Sequence, residues 1–375
     1  MKTLLNVFRI DFEKNRVYGL DILRALAVLF VVLGHGSKLL FPTINRLTFY
    51  VEFDGVAIFF VLSGFLIGGI LIKLLEKEDA THKTLVNFWV RRWFRTLPNY
   101  FLVLFILLIL SSVFIDGFAA LGGYRYFLFV QNLYTPHPAW FPEAWSLSVE
   151  EWFYLLVPVI VFGLVGLCKV ITNRAVLWTS IFILVLITFI RIYRYIEMPV
   201  HNFEDWDAIF RRQVLPRLDS LMYGLLGAYI SYYHKQVWIK YKNQLFILGI
   251  LLFLVIKYLD RFHMHTFGLY QCVFSFSLAS FATLILLPFL SELKTGKGTV
   301  YKSFTYISLV SYSMYLLHFS VIQKWIIVNL DLDALPGYAR IGTKYVLYWT
   351  LTILISILMF KYFERPVMKL REKFS

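Results

Sequence analysis

The chain has 375 residues, of which 59% are hydrophobic and only 16% charged, and its mean hydropathy is +0.68. That balance excludes an ordinary soluble enzyme and describes a polytopic membrane protein. The formal charge of +14 would suit a nucleic-acid partner, but the basic residues fall in short clusters between long apolar runs, the pattern that orients membrane proteins, so no nucleic acid is expected. The two cysteines, Cys168 and Cys272, lie in apolar runs and support neither a disulfide framework nor a thiol metal site.

A span needs about 20 largely apolar residues. Ten such stretches are predicted, at roughly 20–40, 55–75, 97–115, 145–168, 175–196, 217–233, 244–260, 267–290, 303–325 and 344–363. The expected architecture is all-α, a single transmembrane domain over residues 1–375 with about ten helices. Basic residues concentrate on one side of this path. They include Lys2, Arg9, Lys14 and Arg16 before the first span, Lys73 to Arg95 between the second and third, Lys294, Lys297 and Lys302 before the ninth, and Arg365 to Lys373 at the tail. By the inside-positive bias both termini are expected in the cytoplasm. The run Ala25 to Leu33 follows a basic start as a signal-peptide core would, yet Gly34-His35-Gly36-Ser37 offers no cleavage site of the A-x-A kind, so it is read as a retained span.

In the first span, GLDILRALAVLFVVLGHG from Gly19 to Gly36, Arg24 and His35 lie eleven residues apart. Eleven steps of about 100° are three turns plus roughly 20°, so the two share a face at depths roughly 16 Å apart. Ionisable groups at such depths are costly and usually face a polar cavity. A snorkelling arginine with a satisfied core histidine is the plainer alternative. In segment 76–96, Leu85, Phe88, Trp89, Arg92 and Trp93 recur at helical spacing, predicting a helix that lies along the interface and turns into the membrane near Pro98. Arg91, Arg92 and Arg95 either anchor this helix or bind polyphosphate; guanidinium forks suit phosphate, and Arg92 and Arg95 share a face. Within segment 122–142, the apolar run Tyr126 to Tyr134 is too short to span and reads as re-entrant or interfacial.

The fourth span opens with AWSLSVEEWFYLLVP, placing Glu150 and Glu151 near the same outer end as His35. A carboxylate beside an imidazole orients the ring and strengthens it as a base; a helix start alone also favours glutamate. The two point about 100° apart, so one is expected to face a His35 cavity. Ser63, Asp219, Tyr315 and His318 are further candidates for that cavity. The simple readings are a surface ion pair for Arg217 with Asp219 and a tyrosine-bonded core position for His318. His263 and His265 sit near Asp260 without a recognisable ligand set, so no metal is expected.

The pieces R-x10-H from Arg24 to His35, GVAIFFVLSGFLI at 55–67, RRWFRTLP at 91–98, WSLSVEEWFYLLVP at 145–158, RLDSLMYG at 217–224, YSMYLLH at 312–318 and FERP at 363–366 run in order through nearly the whole chain. This set resembles the membrane acyltransferase family 3, a group of polysaccharide and small-molecule O-acyltransferases that commonly have ten spans. The resemblance implies that His35 is catalytic, that Arg24 belongs to the same motif, and that Arg92 and Arg95, with Arg91 beside them, serve an acyl-CoA site. It also selects Glu150, five residues after Trp145, over Glu151. Some members carry a C-terminal SGNH-type domain; this chain ends nine residues after Pro366, so that domain is expected to be unnecessary or replaced by a partner protein.

The expected function is transfer of an acyl group, acetyl by expectation, from cytoplasmic acyl-CoA to a hydroxyl of an extracytoplasmic or membrane-held carbohydrate. Acyl-CoA is then a donor substrate, with no bound cofactor, and the location is a bacterial cytoplasmic (inner) membrane. His35 is the general base assisted by Glu150, or it carries the acyl group itself. A transporter or flippase of a glycan or lipid-linked precursor is the alternative class. It predicts paired half-sequences with interrupted helices, and no such internal symmetry is seen. A non-catalytic receptor leaves the pairing of Arg24 with His35 unexplained.

Overall fold

In a computed structural model, residues 16–116, 118, 123–263 and 266–370 are described. Lys2, Arg9, Lys14, residue 122, His265, Arg371 and Lys373 lie outside them. Ten long helices follow one another: α1 (Tyr18–Gly36), α2 (Gly55–Leu75), α3 (His82–Phe114), α4 (Ala144–Gly166), α5 (Thr172–Glu197), α6 (Leu218–Tyr233), α7 (Lys242–His263), α8 (Ser275–Glu292), α9 (Gly298–Leu317) and α10 (Gly337–Met359). No strand occurs among the described residues. The helices coincide with the ten expected apolar stretches. Among the described residues, eight are long and apolar enough to cross a membrane, namely all except α6 and α7. Helix α6 has 16 residues, and α7 carries the apolar run Leu245 to Ile256.

Short α6 reaches its depth by lying against α2. A side chain at Gly64 would collide with the Leu221 carbonyl, one at Gly224 with the Val61 carbonyl, and one at Gly68 with Leu225, so the two backbones touch along parallel paths. Small residues permit this approach where apolar burial gives helices in lipid little driving force to associate. Helices α1 and α9 also run in the same direction, since Arg24 meets Ser308 and His35 meets His318. Helices α2, α8 and α9 are largely enclosed, whereas α5 and α7 turn Phe182, Phe189, Leu251 and Leu254 outward as a lipid-facing surface would.

One expectation about the connections is corrected. Segment 76–96 does not lie apart from the third span: from His82 it is one 33-residue helix that carries Pro98 internally. At 1.5 Å per residue it is about 50 Å long, well beyond a hydrocarbon core of about 30 Å, so its first turns extend past the core and still present Arg92 and Arg95 inward. Segment 123–143 is mostly irregular after the short helix Tyr124–Phe127 and folds back on α4. Gln131 donates to Ser148 Oγ at 2.6 Å and Asn132 donates to the Trp145 carbonyl at 3.0 Å.

Candidate active site

At one end of α1 a carboxylate collects two arginines. Asp21 accepts from Arg16 Nε at 2.9 Å and from Ser308 Oγ at 2.8 Å, and Arg24 Nη1 lies 3.5 Å from Asp21 Oδ1 and 3.2 Å from Ser308 Oγ. Asp21 and Ser308 are buried, so they hold Arg24 in one direction. That direction is into a cavity of about 770 Å³ walled by α2, α3, α4, α6 and α9. Arg24, Lys73, Arg92, Arg95, Lys235 and Lys294 line it against three glutamates, Glu150, Glu292 and Glu364. Arg95 is accessible although it lies within the bundle, because the cavity surrounds it, and it makes no hydrogen bond or ion pair with any described residue. Glu364 accepts from Asn99 Nδ2 at 2.7 Å and Ser313 Oγ at 2.6 Å. The polar face of α9 runs along the cavity through Ser308, Ser311, Tyr312 and Tyr315.

The next residue along that face is His318, fully buried at the start of a ten-residue π-helical stretch, His318–Ile327. Its Nδ1 lies 2.8 Å from the Tyr315 carbonyl and 3.2 Å from that of Met314. Carbonyls only accept, so this nitrogen carries the ring proton and Nε2 carries the lone pair. His35 Nδ1 lies 2.7 Å from His318 Nε2 and is therefore the donor. With both rings neutral, His35 Nε2 is left as an unprotonated acceptor on a partly exposed side chain. Phe319 stacks on the His35 ring at 4.4 Å, and Gln323 Nε2 donates to the His35 carbonyl at 3.1 Å. Glu143, the residue just before α4, holds the π-helical stretch, accepting from Ser320 N at 2.8 Å and Ser320 Oγ at 2.6 Å. Burial raises the Glu143 carboxyl to about 7 against these two bonds.

The expected partnership of Glu150 with His35 is corrected. Glu150 accepts from Ser63 Oγ at 2.9 Å and Tyr154 Oη at 3.1 Å, and Tyr154 in turn accepts from Arg92 at 2.5 Å. The cause is depth. On α4 it is Ser146 that reaches Tyr315, at 2.5 Å, and Glu150 lies a further turn, roughly 6 Å, toward the arginines. Glu151, also buried, accepts from Thr96 Oγ1 at 2.8 Å. Ser63 and Tyr315 line the cavity as expected, and His318 lies just beyond it. Arg91 is exposed and is not among the lining residues, because it points about 100° away from Arg92 on the same helix. Asp219 is not a cavity residue either: it is completely buried, ion-paired with Arg191 and bonded by Ser277 Oγ at 3.0 Å. Arg217 is equally buried and faces Asp54 at 3.8 Å, so no surface pair forms.

Asp21, Asn99, Glu143 and Ser308 were not singled out from the sequence. The one available signal was spacing: ten residues separate Ser308 from His318, nearly matching the eleven between Arg24 and His35.

The sequence profile of the acyltransferase 3 family, described as an acyltransferase domain, matches residues 17–361. The chain belongs to this family. Among curated members of similar sequence, a Staphylococcus aureus (strain COL) protein provisionally named an O-acetyltransferase is 29% identical over 96% of this chain and 58% of its own length. The O-acetyltransferase OatA of Staphylococcus aureus (strain NCTC 8325 / PS 47) is 26% identical over 94% of this chain and 57% of its own. The peptidoglycan O-acetyltransferase OatA of Listeria monocytogenes is 32% identical over 39% of this chain and 24% of its own. This acyltransferase-family chain thus spans somewhat more than half the length of these two Staphylococcus aureus relatives. No solved structure matches it.

Proposed function

We propose that the chain is a membrane O-acetyltransferase that moves an acetyl group from acetyl-CoA to a hydroxyl of a cell-envelope carbohydrate, with His35 as general base. The observation that carries this reading is the hydrogen-bonded line from the Tyr315 carbonyl through His318 to His35, which leaves His35 Nε2 free to accept a proton. The cationic cavity supports acyl-CoA as donor, because its phosphates match Arg24, Arg95 and the lysines, and the Ser63, Ser308 and Tyr312 wall gives the pantetheine arm a polar path toward Tyr315. The names of the bacterial relatives support acetyl as the group and an envelope glycan as the acceptor. The cluster of Lys73, Lys235 and Lys294 at the Arg24 end supports a cytoplasmic mouth in a bacterial cytoplasmic membrane.

In the reaction, the acceptor oxygen attacks the thioester carbon while His35 Nε2 takes its proton. The C–S bond breaks, the thiolate recovers the proton from the imidazolium, and an O-acetyl ester and CoA leave. His318 stabilises the transient charge as a hydrogen-bond acceptor, the part a carboxylate plays in serine hydrolases. General-base assistance contributes about 10²- to 10⁴-fold, and the remainder comes from holding donor and acceptor together. The test is acetyl transfer by the purified chain in lipid nanodiscs, from acetyl-CoA to envelope glycans of the source cells. His35→Ala is expected to lose at least about 10²-fold in turnover with unchanged acetyl-CoA affinity; near-normal turnover refutes the role. Replacing Arg92 and Arg95 together by lysine is expected to weaken acetyl-CoA binding about tenfold, while Arg91→Lys leaves it unchanged.

A further inference from the structure

Beyond His35, away from the donor cavity, two connecting segments meet: residues 37–54 after α1 and residues 198–217 before α6. Lys38 follows His35 by about one turn, and Arg211, next to Arg212, reaches the first turn of α4 at Trp145, so three cations stand on this side of His35. Lys38 is exposed and makes no hydrogen bond or ion pair with any described residue. Asp207 serves both arginines, from Arg211 Nη1 at 3.0 Å and from Arg212 Nε at 2.6 Å, so one carboxylate faces two guanidinium groups. The two terminal nitrogens of Arg212 make no hydrogen bond with any described residue, and the guanidinium of Arg211 lies 5.8 Å over the Trp145 ring.

The nearby acids are outnumbered: Asp207, Asp54 and Glu52 act on Arg211 and its neighbours, but they stand against Lys38, Arg211, Arg212, Arg217 and Lys257 together. Asp54 caps α2 through Val56 N and Ala57 N, each at 3.1 Å, and faces Arg217. Glu52 presses its carboxyl against Gly34, where burial raises it above the ordinary carboxylate range, and Lys257 stands beside it. The side of His35 away from the cavity therefore holds cations with unused donors at a place where the acceptor must dock.

We propose that the acceptor carries a negatively charged group, a carboxylate or a phosphate, close to the hydroxyl that is acylated, and that Lys38, Arg211 and Arg212 hold that group while the hydroxyl meets His35 Nε2. This rests on the transferase reading. Three cations beside an imidazole that must itself become cationic oppose proton transfer, and an anion bound among them cancels that opposition. A neutral saccharide leaves it in place, so this cluster of cations selects against neutral acceptors as well as for charged ones.

The test identifies the product. Acetyl esters on glycans and lipid-linked saccharides are mapped by fragment mass spectrometry in cells with and without the gene. The gene-dependent ester is expected on a unit that bears a carboxylate or phosphate, or on its immediate neighbour; phosphorus NMR of the isolated unit separates the two sources. A neutral acetylated unit overturns this proposal and leaves the transferase reading standing. Absence of any gene-dependent ester overturns the transferase reading, and the proposal with it. Lys38→Gln and Arg212→Gln are each expected to lower acetylation at least about tenfold with unchanged acetyl-CoA affinity, which doubles as the check on folding. Unchanged acetylation in both variants also overturns the proposal.

Discussion

His35 and His318, 283 residues apart in sequence, are joined by one hydrogen bond of 2.7 Å whose polarity is dictated by the carbonyls behind His318. His318 is thus a positioning residue that sets which nitrogen of His35 is free. His318→Leu removes the acceptor and is expected to lower turnover by about 10²-fold with acetyl-CoA affinity intact. His318→Gln can present an oxygen in the same place and should recover part of the loss. Equal turnover in the leucine variant and the wild type would show that His35 needs no such partner.

Glu150 belongs to the cationic cavity. Through Tyr154 it steadies Arg92, which also stacks at 4.3 Å over the Tyr154 ring. Glu150→Gln is expected to raise the KM for acetyl-CoA severalfold while leaving the acidic limb of the rate against pH in place. A limb displaced to lower pH would restore the glutamate as the partner of His35.

Glu143 supplies a pH dependence of stability. Its carboxyl rises from an ordinary 4.5 to about 7 in the folded chain, through burial. Between those values the folded state holds the proton that the unfolded state has released, so this contribution is fully present below pH 4.5 and is lost as pH rises through 7. Glu143→Gln has no such proton. Its stability relative to wild type should therefore improve with rising pH over this window, by at most about 3 kcal/mol. Thermal unfolding of both proteins from pH 4.5 to 8 measures this, and a pH-independent difference contradicts it.

The contact of α2 with α6 makes a sharp contrast between neighbouring glycines. At Gly64 an added methyl group meets the Leu221 carbonyl, whereas at Gly69 it meets nothing within 4 Å. Gly64→Ala is expected to cost about 1–3 kcal/mol, the range for overpacking, and Gly69→Ala to change little. Thermal unfolding in detergent decides between this and a loosely packed pair of helices, for which both variants would behave alike.

The apolar runs made the ten helices legible because lipid imposes a length and a composition on each span. The shared face of Arg24 and His35 was legible because helical periodicity is local. The partner of His35 was not, since it depends on how far a distant helix is slid along its own axis. Counting inward from the start of α4 put Glu150 near His35, yet the helix begins at Ala144 and its first turn, not its second, is level with Tyr315. Trp89, Arg92 and Trp93 misled for a related reason. An amphipathic pattern reads as interfacial, whereas here the polar side faces a cavity: Trp89 Nε1 bonds the Tyr154 carbonyl at 2.9 Å, and Arg92 lines the wall.

The wide winding from His318 to Ile327 makes chain length in this stretch matter more than composition. A π turn holds one residue more than ordinary α winding asks for, so deleting a single residue at Phe319 would let the stretch tighten toward α winding and turn the residues inside the first wide turn, while those beyond it keep their faces. Ser320 would swing off Glu143, and the hold of that carboxylate on the helix end would be lost. Point substitutions on the outer side of the stretch leave that register alone. Tolerance to replacement combined with intolerance to insertion and deletion is therefore the mutational signature this helix end should carry.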